Sequence, residues 1–587
     1  MRLTQQQREA VDHRGHCLVT ACPGSGKTRT LIAKLVNTLD EVRGTPRKIA
    51  CITYTNAAVE EIESRLAVYG QPDDENYCTV STIHAFCLHE ILSRFYWHLP
   101  GFDKGFEVAP PDSEKYLELA EQAAQKFNVE LTVKMREGLE LLSRGLDGSP
   151  IFPGGYGLSS DIVEEFLKLL RSSNLVLFTD IVYLSLAILK DAPSIAKSLA
   201  CRFKWFLIDE FQDTSVLQVE LLKVLAAHHK SQFFLVGDPH QSIYRFAGAR
   251  PDLLPSYSSD LAAQEFSLTG NYRSSSQIVN QSEIVLPRTP EMTAVGDNRG
   301  FNSTPRHYQT QGRVDGVLDH FLSALTDLGI PLGSAAILAP NWFSLIDIGI
   351  KLREHQVPSI GPGSRPYKRK HLFSGLAEQV CAALTPGGLV QLPRIERELF
   401  RLSLEVYGAA NYRIFSYEGR RTSSRLIRCG EELRAHHQSA VSWLQVAARE
   451  FGEIIHEDGF GSDLLSETLI QSAADIVSEM HERGFVDVNN LHVDDIGLLG
   501  RRDSSIRLMT IHASKGLEFD AVAMVDLHEG KIPFWKDDHL SEVVEDGRRL
   551  FYVGMTRAKK LLMYFTDQSN HRNRPSRFIH DLNIPVN

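Results

Sequence analysis

Residues 21–28, Ala-Cys-Pro-Gly-Ser-Gly-Lys-Thr, have the residue types that could hold a triphosphate. In a glycine-rich loop between a strand and a helix, successive backbone N–H groups converge on phosphate oxygens because small residues permit close approach. Lys27 could then reach the β- and γ-phosphates, and the hydroxyl of Thr28 could bind Mg²⁺. The common pattern begins with Gly, whereas Ala21 stands here. The stretch predicts a nucleotide site, with a plain glycine turn as the alternative.

A pair of carboxylates could complete such a site. Asp209 and Glu210 follow the apolar run 206–208. An Asp at a strand end can hold Mg²⁺ through water, and the adjacent Glu can orient and deprotonate an attacking water. Tandem acids after a strand are also common on protein surfaces. Together with the glycine loop, however, they predict nucleoside triphosphate hydrolysis.

These side chains need elements that bring them to one edge of a sheet. Apolar, β-rich runs alternate with helical periods, which predicts an α/β fold with a parallel sheet whose ligands bind at the carboxyl ends of the strands. The predicted strands lie within 16–21, 48–55, 77–86, 204–210, 232–238, 333–340, 505–516 and 519–527, and the first two helices at 27–39 and 57–68.

The same pattern predicts two α/β units, each interrupted by a mostly helical insertion. The first unit would comprise residues 1–95 and 201–280 around a helical insertion at 96–200. The second would comprise residues 281–380 and 500–587 around a helical insertion at 381–499.

Composition limits the possible classes of protein. The 587 residues are 43% hydrophobic and 23% charged, as in ordinary globular chains, and the longest apolar run, 181–189, is too short to span a membrane. Eight cysteines without C-x-x-C spacing, and no signal peptide, favour reduced thiols in the cytoplasm. A net charge of −10 excludes a wholly basic surface, although basic clusters occur at 367–370, 419–421 and 571–577, where solvated loops are the alternative to a nucleic-acid track.

Further motifs follow in order along the chain. With the glycine loop and the paired acids, they resemble the motifs of UvrD/Rep/PcrA-type DNA helicases of superfamily 1, type A, in which Ala often opens the glycine loop. The matching stretches are LTQQQREAV (3–11), ITYTNAAVEEI (52–62), STIHAF (81–86), VGDPHQSIYRFAGA (236–249), LTGNYRSS (268–275), LMTIHASKGLEFDAV (508–522), RRLFYVGMTRAKK (548–560) and RPSRF (574–578).

The resemblance implies two RecA-like parallel-sheet P-loop domains, with ATP and Mg²⁺ as cofactors. Glu210 and Lys27 would be catalytic, Gln241 would sense the γ-phosphate, and Arg273 and Arg557 would act as arginine fingers from the second unit. Tyr272 and Arg29 would sandwich the adenine, Gln7 would contact its edge, and Glu518 would touch the ribose. The full set of implied nucleotide-binding residues is Gln7, Pro23, Gly24, Ser25, Gly26, Lys27, Thr28, Arg29, Tyr272, Arg273, Glu518 and Arg557, with Thr28 and Asp209 as metal ligands.

The resemblance also implies single-stranded DNA and tailed duplex DNA as partners. Their phosphates would be contacted without sequence readout by Thr55, Asn56, Thr82, His84 and Lys515. Tyr54 and Phe246 are candidate platforms for base stacking, with core packing as the alternative. His512 is a weaker DNA-binding candidate, because a structural role inside its motif explains it as well.

Three departures separate this chain from the family pattern. Phe246 and Ala247 stand where the family usually has Trp and Arg, and Gly547 stands where an acidic residue is usual. Only 16 residues separate Ala558 from Pro575, where relatives place a longer hairpin that splits duplex DNA. These departures favour ATP hydrolysis and translocation over robust unwinding.

The residues and the resemblance leave three functions to consider. The first is an ATP-dependent helicase moving 3′→5′ on single-stranded DNA, a polarity that rests on the resemblance alone. The second is a DNA-activated ATPase subunit that serves a partner nuclease, as in an anti-phage complex of the Gabija type. The third is a non-catalytic nucleic-acid-binding scaffold. The sequence leaves open the pathway (repair, replication or phage defence), the oligomeric state and the acceptance of RNA.

Overall fold

We analysed a computed structural model of the chain. It describes all residues except 72, 103, 110, 112, 246–247, 366, 368–370, 386–391, 408–416, 462, 483–487, 489–490, 502, 535–540, 571–572 and 587, and only the backbone of 57, 75, 114, 403–407 and 463. The chain divides into two compact units. Unit 1 comprises residues 1–273 and 288–297, and unit 2 comprises residues 274–287 and 298–587.

Unit 1 is built on a six-stranded, all-parallel sheet. Its strands are β1 (Cys17–Ala21), β2 (Lys48–Thr53), β3 (Cys78–Thr82), β4 (Phe203–Ile208), β5 (Gln232–Gly237) and β6 (Gln264–Leu268). They lie in the order β6-β1-β5-β4-β2-β3. The central strands β1, β4 and β5 are buried along nearly their whole length, as expected for a parallel sheet covered on both faces.

Helices cover both faces of this sheet. Polar side chains begin several of them; for example, Thr4 and Gln7 form a capping box, and Thr55 caps the helix Asn56–Tyr69. The α-helices outside the insertion are Gln5–Asp12, Lys27–Leu39, Asn56–Tyr69, Ile83–Phe86, Ser93–Phe95, Val216–Ala226 and Leu253–Asp260.

A helical segment follows β3 and has an apolar core of its own. That core joins the helices Glu114–Gln125, Val133–Glu140 and Ser160–Ser172 to the short parallel pair Glu107–Ala109 and Leu175–Leu177. The next helices, Ile181–Asp191 and Pro193–Arg202, pack against the sheet instead.

Unit 2 contains a second six-stranded parallel sheet. Its strands are β7 (Arg306–Thr310), β8 (Ala335–Ala339), β9 (Ser359–Ile360), β10 (Ile506–Thr510), β11 (Phe519–Met524) and β12 (Ala558–Asp567). They lie in the order β7-β12-β11-β8-β10-β9. Its other α-helices are Ser276–Val285, Arg313–Gly316, Leu322–Asp327, Phe343–Glu354, Ser541–Met555 and Arg577–Asp581.

Between β9 and β10 lies a mostly helical segment whose apolar core includes the fully buried Trp443. It is formed by the helices Ser374–Leu384, Leu392–Tyr407, Tyr417–His436, Ala440–Glu457, Asp463–Glu482 and Val493–Gly500.

The predicted fold class is confirmed: parallel sheets alternate with helices in both units. The eight predicted strand regions each contain a strand, whereas β6, β7, β9 and β12 were not predicted. The predicted domain boundaries stay predictions. Of the basic clusters, 368–370 and 571–572 lie outside the described residues. Among the described helices, none combines the length and apolar character that a bilayer crossing requires.

Candidate nucleotide site and nucleic-acid interface

The glycine loop connects β1 to the helix Lys27–Leu39. Gly24 and Gly26 have φ values of +69° and +84°, in the left-handed region that favours glycine. A Cβ on Gly24 would lie 2.6 Å from the Cβ of Arg273, and one on Gly26 would lie 2.7 Å from Nε2 of Gln7. Backbone conformation therefore favours glycine at both positions, and at Gly24 the close contact with Arg273 does so as well.

Lys27 begins the helix and is the cation of the loop. Its Nζ is buried, and among the described residues it finds no hydrogen-bond partner. Its ion pair with Oε1 of Glu210 is long, at 3.9 Å. Burying an ammonium group without acceptors is costly. This orphaned group and the glycine cradle beside it fit a bound phosphate.

The paired acids lie at the carboxyl end of β4, and β4 and β1 flank β5 on opposite sides. Asp209 is buried, and its Oδ1 accepts a hydrogen bond from the backbone N–H of Glu210 at 3.0 Å. Burial and the neighbouring Glu210 raise the pKa of Asp209 to about 7, against the opposing effect of Lys27. Glu210 adopts a φ of +50°, an uncommon conformation for a non-glycine residue that turns the chain sharply after the strand.

The predicted metal ligands suit a Mg²⁺ ion that is bound mainly by phosphate and water oxygens. Among the described residues, no group of three or more His, Cys, Asp or Glu side chains is arranged to hold a metal by itself. Mg²⁺ at phosphate sites usually takes one or two protein ligands, with phosphate and water oxygens as the rest. Thr28 and Asp209 could supply such a pair, and the ion would neutralise phosphate charge.

Gln7 is buried between the start of the first helix and the glycine loop. Its Nε2 donates to the carbonyl of Ser25 at 2.9 Å, and its Oε1 accepts from the backbone N–H of Thr4 at 3.0 Å. The bond to Ser25 therefore ties the first helix to the glycine loop, and the bond from Thr4 caps that helix. The predicted contact with adenine stays a prediction.

Arg273 belongs to unit 1, so the prediction that both arginine fingers come from the second unit is wrong for this residue. The backbone N–H of Tyr272 donates to the carbonyl of Gly24 at 2.9 Å, and that of Arg273 donates to Oδ1 of Asn271 at 2.8 Å. The first bond holds this segment against the glycine loop, and the second fixes the turn within residues 271–273. Tyr272 and Arg29 are both exposed in unit 1, and their adenine sandwich stays a prediction.

Arg557 belongs to unit 2, as predicted, and it is fully buried there. Its guanidinium donates to the carbonyls of Val553 and Leu517, at 2.9 and 3.3 Å, and to Oγ1 of Thr556. Glu518 is exposed and forms a 2.8 Å ion pair with Lys559. The roles of Arg557 and Glu518 toward a nucleotide stay predictions.

The candidate DNA contacts of unit 1 follow two adjacent strands. Thr53 at the end of β2 pairs with Thr82 at the end of β3, which brings the loops after both strands to the same edge. Thr55 and Asn56 are exposed there. Thr55 and Thr82 use their hydroxyls as helix N-caps, accepting from the N–H groups of Ala58 and Ala85 at 3.2 Å.

Aromatic rings adjoin these loops. Tyr54 stacks on Tyr244 with ring centroids 5.4 Å apart, and both rings are half-buried. His84 stacks on Phe178 at 4.6 Å, and Phe178 is 54% exposed. Tyr244 and Phe178 were not predicted as partners of Tyr54 and His84. Each stacked pair joins residues that are far apart in sequence, so no local pattern indicated it. Phe246 and Ala247 lie outside the described residues.

Unit 2 presents its own candidates at the carboxyl ends of β8 and β10. His512 and Lys515 follow β10, and burial, with a smaller contribution from Lys515, lowers the pKa of His512. Trp342 and Phe343 follow β8, stack at 3.8 Å between centroids and are 50% and 63% exposed. Sequence reasoning missed this pair, although two adjacent aromatic residues after a strand were a usable signal.

The unusual Gly547 has a structural explanation. It lies in the helix Ser541–Met555, where a Cβ would approach Cα of Pro533 to 3.0 Å and the ring of Phe578 to 3.3 Å. Any larger residue at this position would require Pro533 and Phe578 to shift by a few tenths of an ångström.

Comparisons with known proteins agree with this geometry. Residues 3–149 and 153–262 match the model of the UvrD/REP helicase N-terminal domain, and residues 467–569 match the UvrD-like helicase C-terminal domain. The chain is 26% identical to the ATP-dependent DNA helicase Rep of Escherichia coli over 99% of its own length and 94% of that protein. It is 24% identical to the ATP-dependent DNA helicase PcrA of Leuconostoc citreum, covering 99% of this chain and 84% of the relative.

Proposed function

The chain belongs to the UvrD/REP helicase family, and on that premise we propose that it is an ATP-dependent DNA helicase that moves along single-stranded DNA. The observation that carries the proposal is the buried ammonium group of Lys27, which finds no hydrogen-bond acceptor among the described residues and lies beside a left-handed glycine cradle. Such a group suits the β- and γ-phosphates of ATP.

The hydrolytic step would use groups at the carboxyl edge of the unit 1 sheet. Lys27 would bind the terminal phosphates, and Glu210 would orient and deprotonate the attacking water. Gln241 would contact the γ-phosphate from the loop after β5. Mg²⁺ held by Thr28 and Asp209 would supply charge neutralisation. Contributions from Tyr272, Arg273, Glu518 and Arg557 belong to the same proposal.

The DNA would be held by groups that do not read sequence. Thr55, Asn56, Thr82, His84 and Lys515 would contact phosphates, as hydroxyl, amide, imidazole and ammonium groups can. Tyr54, together with Tyr244, would offer a stacking surface that tolerates any base. Phe246 is proposed as a further stacking platform, and His512 is a weaker candidate. Such contacts suit a protein that must advance along any sequence. A DNA substrate, together with cysteines that lack C-x-x-C spacing, favours the cytoplasm as the compartment.

ATP hydrolysis with and without DNA tests the proposal. We expect turnover by the purified chain to depend on Mg²⁺ and to rise in the presence of single-stranded DNA. Duplex DNA and RNA of the same length serve as comparison ligands. Absence of ATP turnover under all these conditions would leave the non-catalytic scaffold as the better description.

The direction of movement is proposed as 3′→5′. Duplexes of identical sequence that carry a single-stranded tail at either the 3′ or the 5′ end separate the two polarities. We expect strand displacement from the 3′-tailed duplex. Preferential displacement from the 5′-tailed duplex would reverse this part of the proposal and leave the ATPase proposal intact.

A second candidate is a DNA-activated ATPase subunit of a nuclease-containing defence complex. The segment between Ala558 and Pro575 favours this candidate. Strand β12 runs to Asp567 and occupies most of that segment. Little chain is therefore left for a hairpin that splits duplex DNA. Translocation assays without a duplex distinguish the candidates. Strong translocation with weak unwinding, and co-purification with a nuclease, would favour the second; vigorous unwinding by the isolated chain would exclude it.

A further inference from the structure

A buried ion pair between Asp238 and Arg288 lies beside the candidate nucleotide site. Asp238 belongs to the stretch 236–249, whereas Arg288 lies outside every motif identified in the sequence. Asp238 directly follows β5, and its two carboxylate oxygens accept from the two terminal nitrogens of Arg288 at 2.8 and 3.2 Å. The side chains of Asp238 and Arg288 are 0% and 6% exposed. A bidentate arginine–carboxylate pair fixes geometry as well as charge.

The same carboxylate holds the predicted γ-phosphate sensor. Nε2 of Gln241 donates to Oδ2 of Asp238 at 2.5 Å. The backbone N–H of Asp238 donates to Oε1 of Gln212 at 2.8 Å, and Nε2 of Gln212 donates to Oε2 of Glu210. One hydrogen-bonded chain therefore joins the predicted water-activating carboxylate, the sensor and Arg288.

Charge explains why the arginine is needed. Burial alone would raise the pKa of Asp238, but Arg288, a hydrogen bond from His240 and the charge of Lys27 hold it well below its usual range. Asp238 is therefore a permanent anion within electrostatic reach of Lys27. Without a partner, a buried carboxylate here would compete with phosphate for Lys27.

The position of Arg288 in the chain adds a second role for the pair. The chain leaves unit 1 after residue 273, forms the helix Ser276–Val285 within unit 2 and returns to unit 1 at residue 288. Arg288 is thus the first residue of the segment that returns to unit 1, and its ion pair with Asp238 anchors this segment to the end of β5.

We infer that Arg288 is a positioning residue for ATP hydrolysis: through Asp238 it orients Gln241 toward the γ-phosphate and removes a competing anion from the phosphate loop. This inference rests on the proposed ATPase function. Arg288 itself touches no reacting atom, and its effect is transmitted through the carboxylate.

Four variants of the full chain test the inference: Arg288→Lys, Arg288→Gln, Asp238→Asn and the double variant Asp238→Asn/Arg288→Gln. The readouts are kcat for DNA-stimulated ATP hydrolysis, affinity for a fluorescent ATP analogue and the thermal midpoint. Arg365→Gln is the matched control, because Arg365 forms a similar bidentate, largely buried pair with Glu378 in the helical part of unit 2.

We expect Arg288→Gln to lower kcat by about 10²-fold, the usual cost of misplacing a group near the reacting centre, and nucleotide affinity to fall far less. Arg288→Lys should restore part of kcat. The double variant should recover thermal stability, since no charge is left unpaired, while kcat stays low. Arg365→Gln should lower the thermal midpoint and leave kcat unchanged.

Recovery of kcat together with stability in the double variant would overturn the inference and reduce the pair to a structural one. Wild-type kcat in Arg288→Gln would overturn it as well, while leaving the proposed function standing. A wild-type chain that never hydrolyses ATP would instead refute the proposed function itself.

Discussion

Nζ of Lys27 and Oε1 of Glu210 face each other at 3.9 Å, one from the helix after β1 and the other from the turn after β4. The distance is too long for a hydrogen bond and short enough for strong attraction. The two groups that would act on opposite sides of a terminal phosphate are thus already paired across the candidate site.

The first prediction concerns these two side chains. Lys27→Ala removes the cation that would stabilise phosphate charge, so we expect kcat for ATP hydrolysis to fall by at least about 10²-fold. Glu210→Gln should abolish turnover comparably but retain nucleotide binding, because it removes only the base. Steady-state ATPase assays and nucleotide titrations measure both effects. Wild-type turnover in either variant would show that the site is misassigned.

The second prediction separates close contact from backbone strain in the glycine loop. Gly24→Ala should lower both the thermal midpoint and nucleotide affinity, because its φ of +69° is unfavourable for Ala and its Cβ would clash with Arg273. Gly44→Ala is the control: φ is +73°, but no atom lies within 4 Å of the added Cβ. We expect the control to cost about 1–2 kcal/mol of strain alone and to bind nucleotide normally. Equal losses of nucleotide affinity in the two variants would contradict the prediction.

The third prediction tests the stacked pair of unit 1. Tyr54→Ala and Tyr244→Ala should each weaken binding of single-stranded DNA by about 1–3 kcal/mol, the usual value of one base–aromatic stack. Tyr69→Ala is the matched control, since Tyr69 is 48% exposed at the far end of the helix that follows Tyr54. Fluorescence anisotropy with a labelled oligonucleotide measures the affinities. An equal loss in the control would point to a general surface effect.

The fourth prediction concerns the aromatic pair of unit 2. Trp342→Ala and Phe343→Ala should weaken DNA binding and the DNA stimulation of ATP hydrolysis, because the exposed rings stand at the carboxyl edge of the sheet. Leu328→Ala provides the comparison, since this 44% exposed residue precedes β8 and lies toward the opposite edge. If DNA affinity is unchanged in both aromatic variants, the pair is not part of the DNA track.

The fifth prediction is a pH dependence set by Lys34. Its Nζ donates to the carbonyls of Val11 and His13, and burial lowers its pKa to about 8 from a usual 10.5. Between these two values the unfolded chain binds more protons, so this residue makes the free energy of unfolding rise with pH, by up to about 3 kcal/mol.

Thermal midpoints from pH 7.5 to 10.5, a window of about three units around these values, compare the wild type with Lys34→Met. We expect the wild-type midpoint to rise relative to that of the variant as pH increases. Lys197→Met, a change at an exposed lysine of the same unit, should run parallel to the wild type. A constant difference between wild type and Lys34→Met would show that Lys34 keeps its usual pKa in the folded protein.

The sequence by itself determined the α/β class, eight strand regions and the glycine loop, because these depend on local periodicity and short-range spacing. It missed β6, whose sequence Gln-Glu-Phe-Ser-Leu is largely polar, since an edge strand is buried less than a central one. It also missed β12, the apolar strand that begins directly after Arg557 and lies next to the edge strand β7 in the second sheet.

Only the tertiary structure decided which distant groups meet. It placed Arg273 against Gly24 in unit 1, paired Asp238 with Arg288, and stacked Tyr54 on Tyr244. Each contact joins residues far apart along the chain. Its geometry depends on strand order and on burial, and neither can be read from a short stretch of sequence. A motif specifies which chemical groups are present, whereas the packed sheet specifies which of them share one desolvated space, and their charges and pKa values depend on that space.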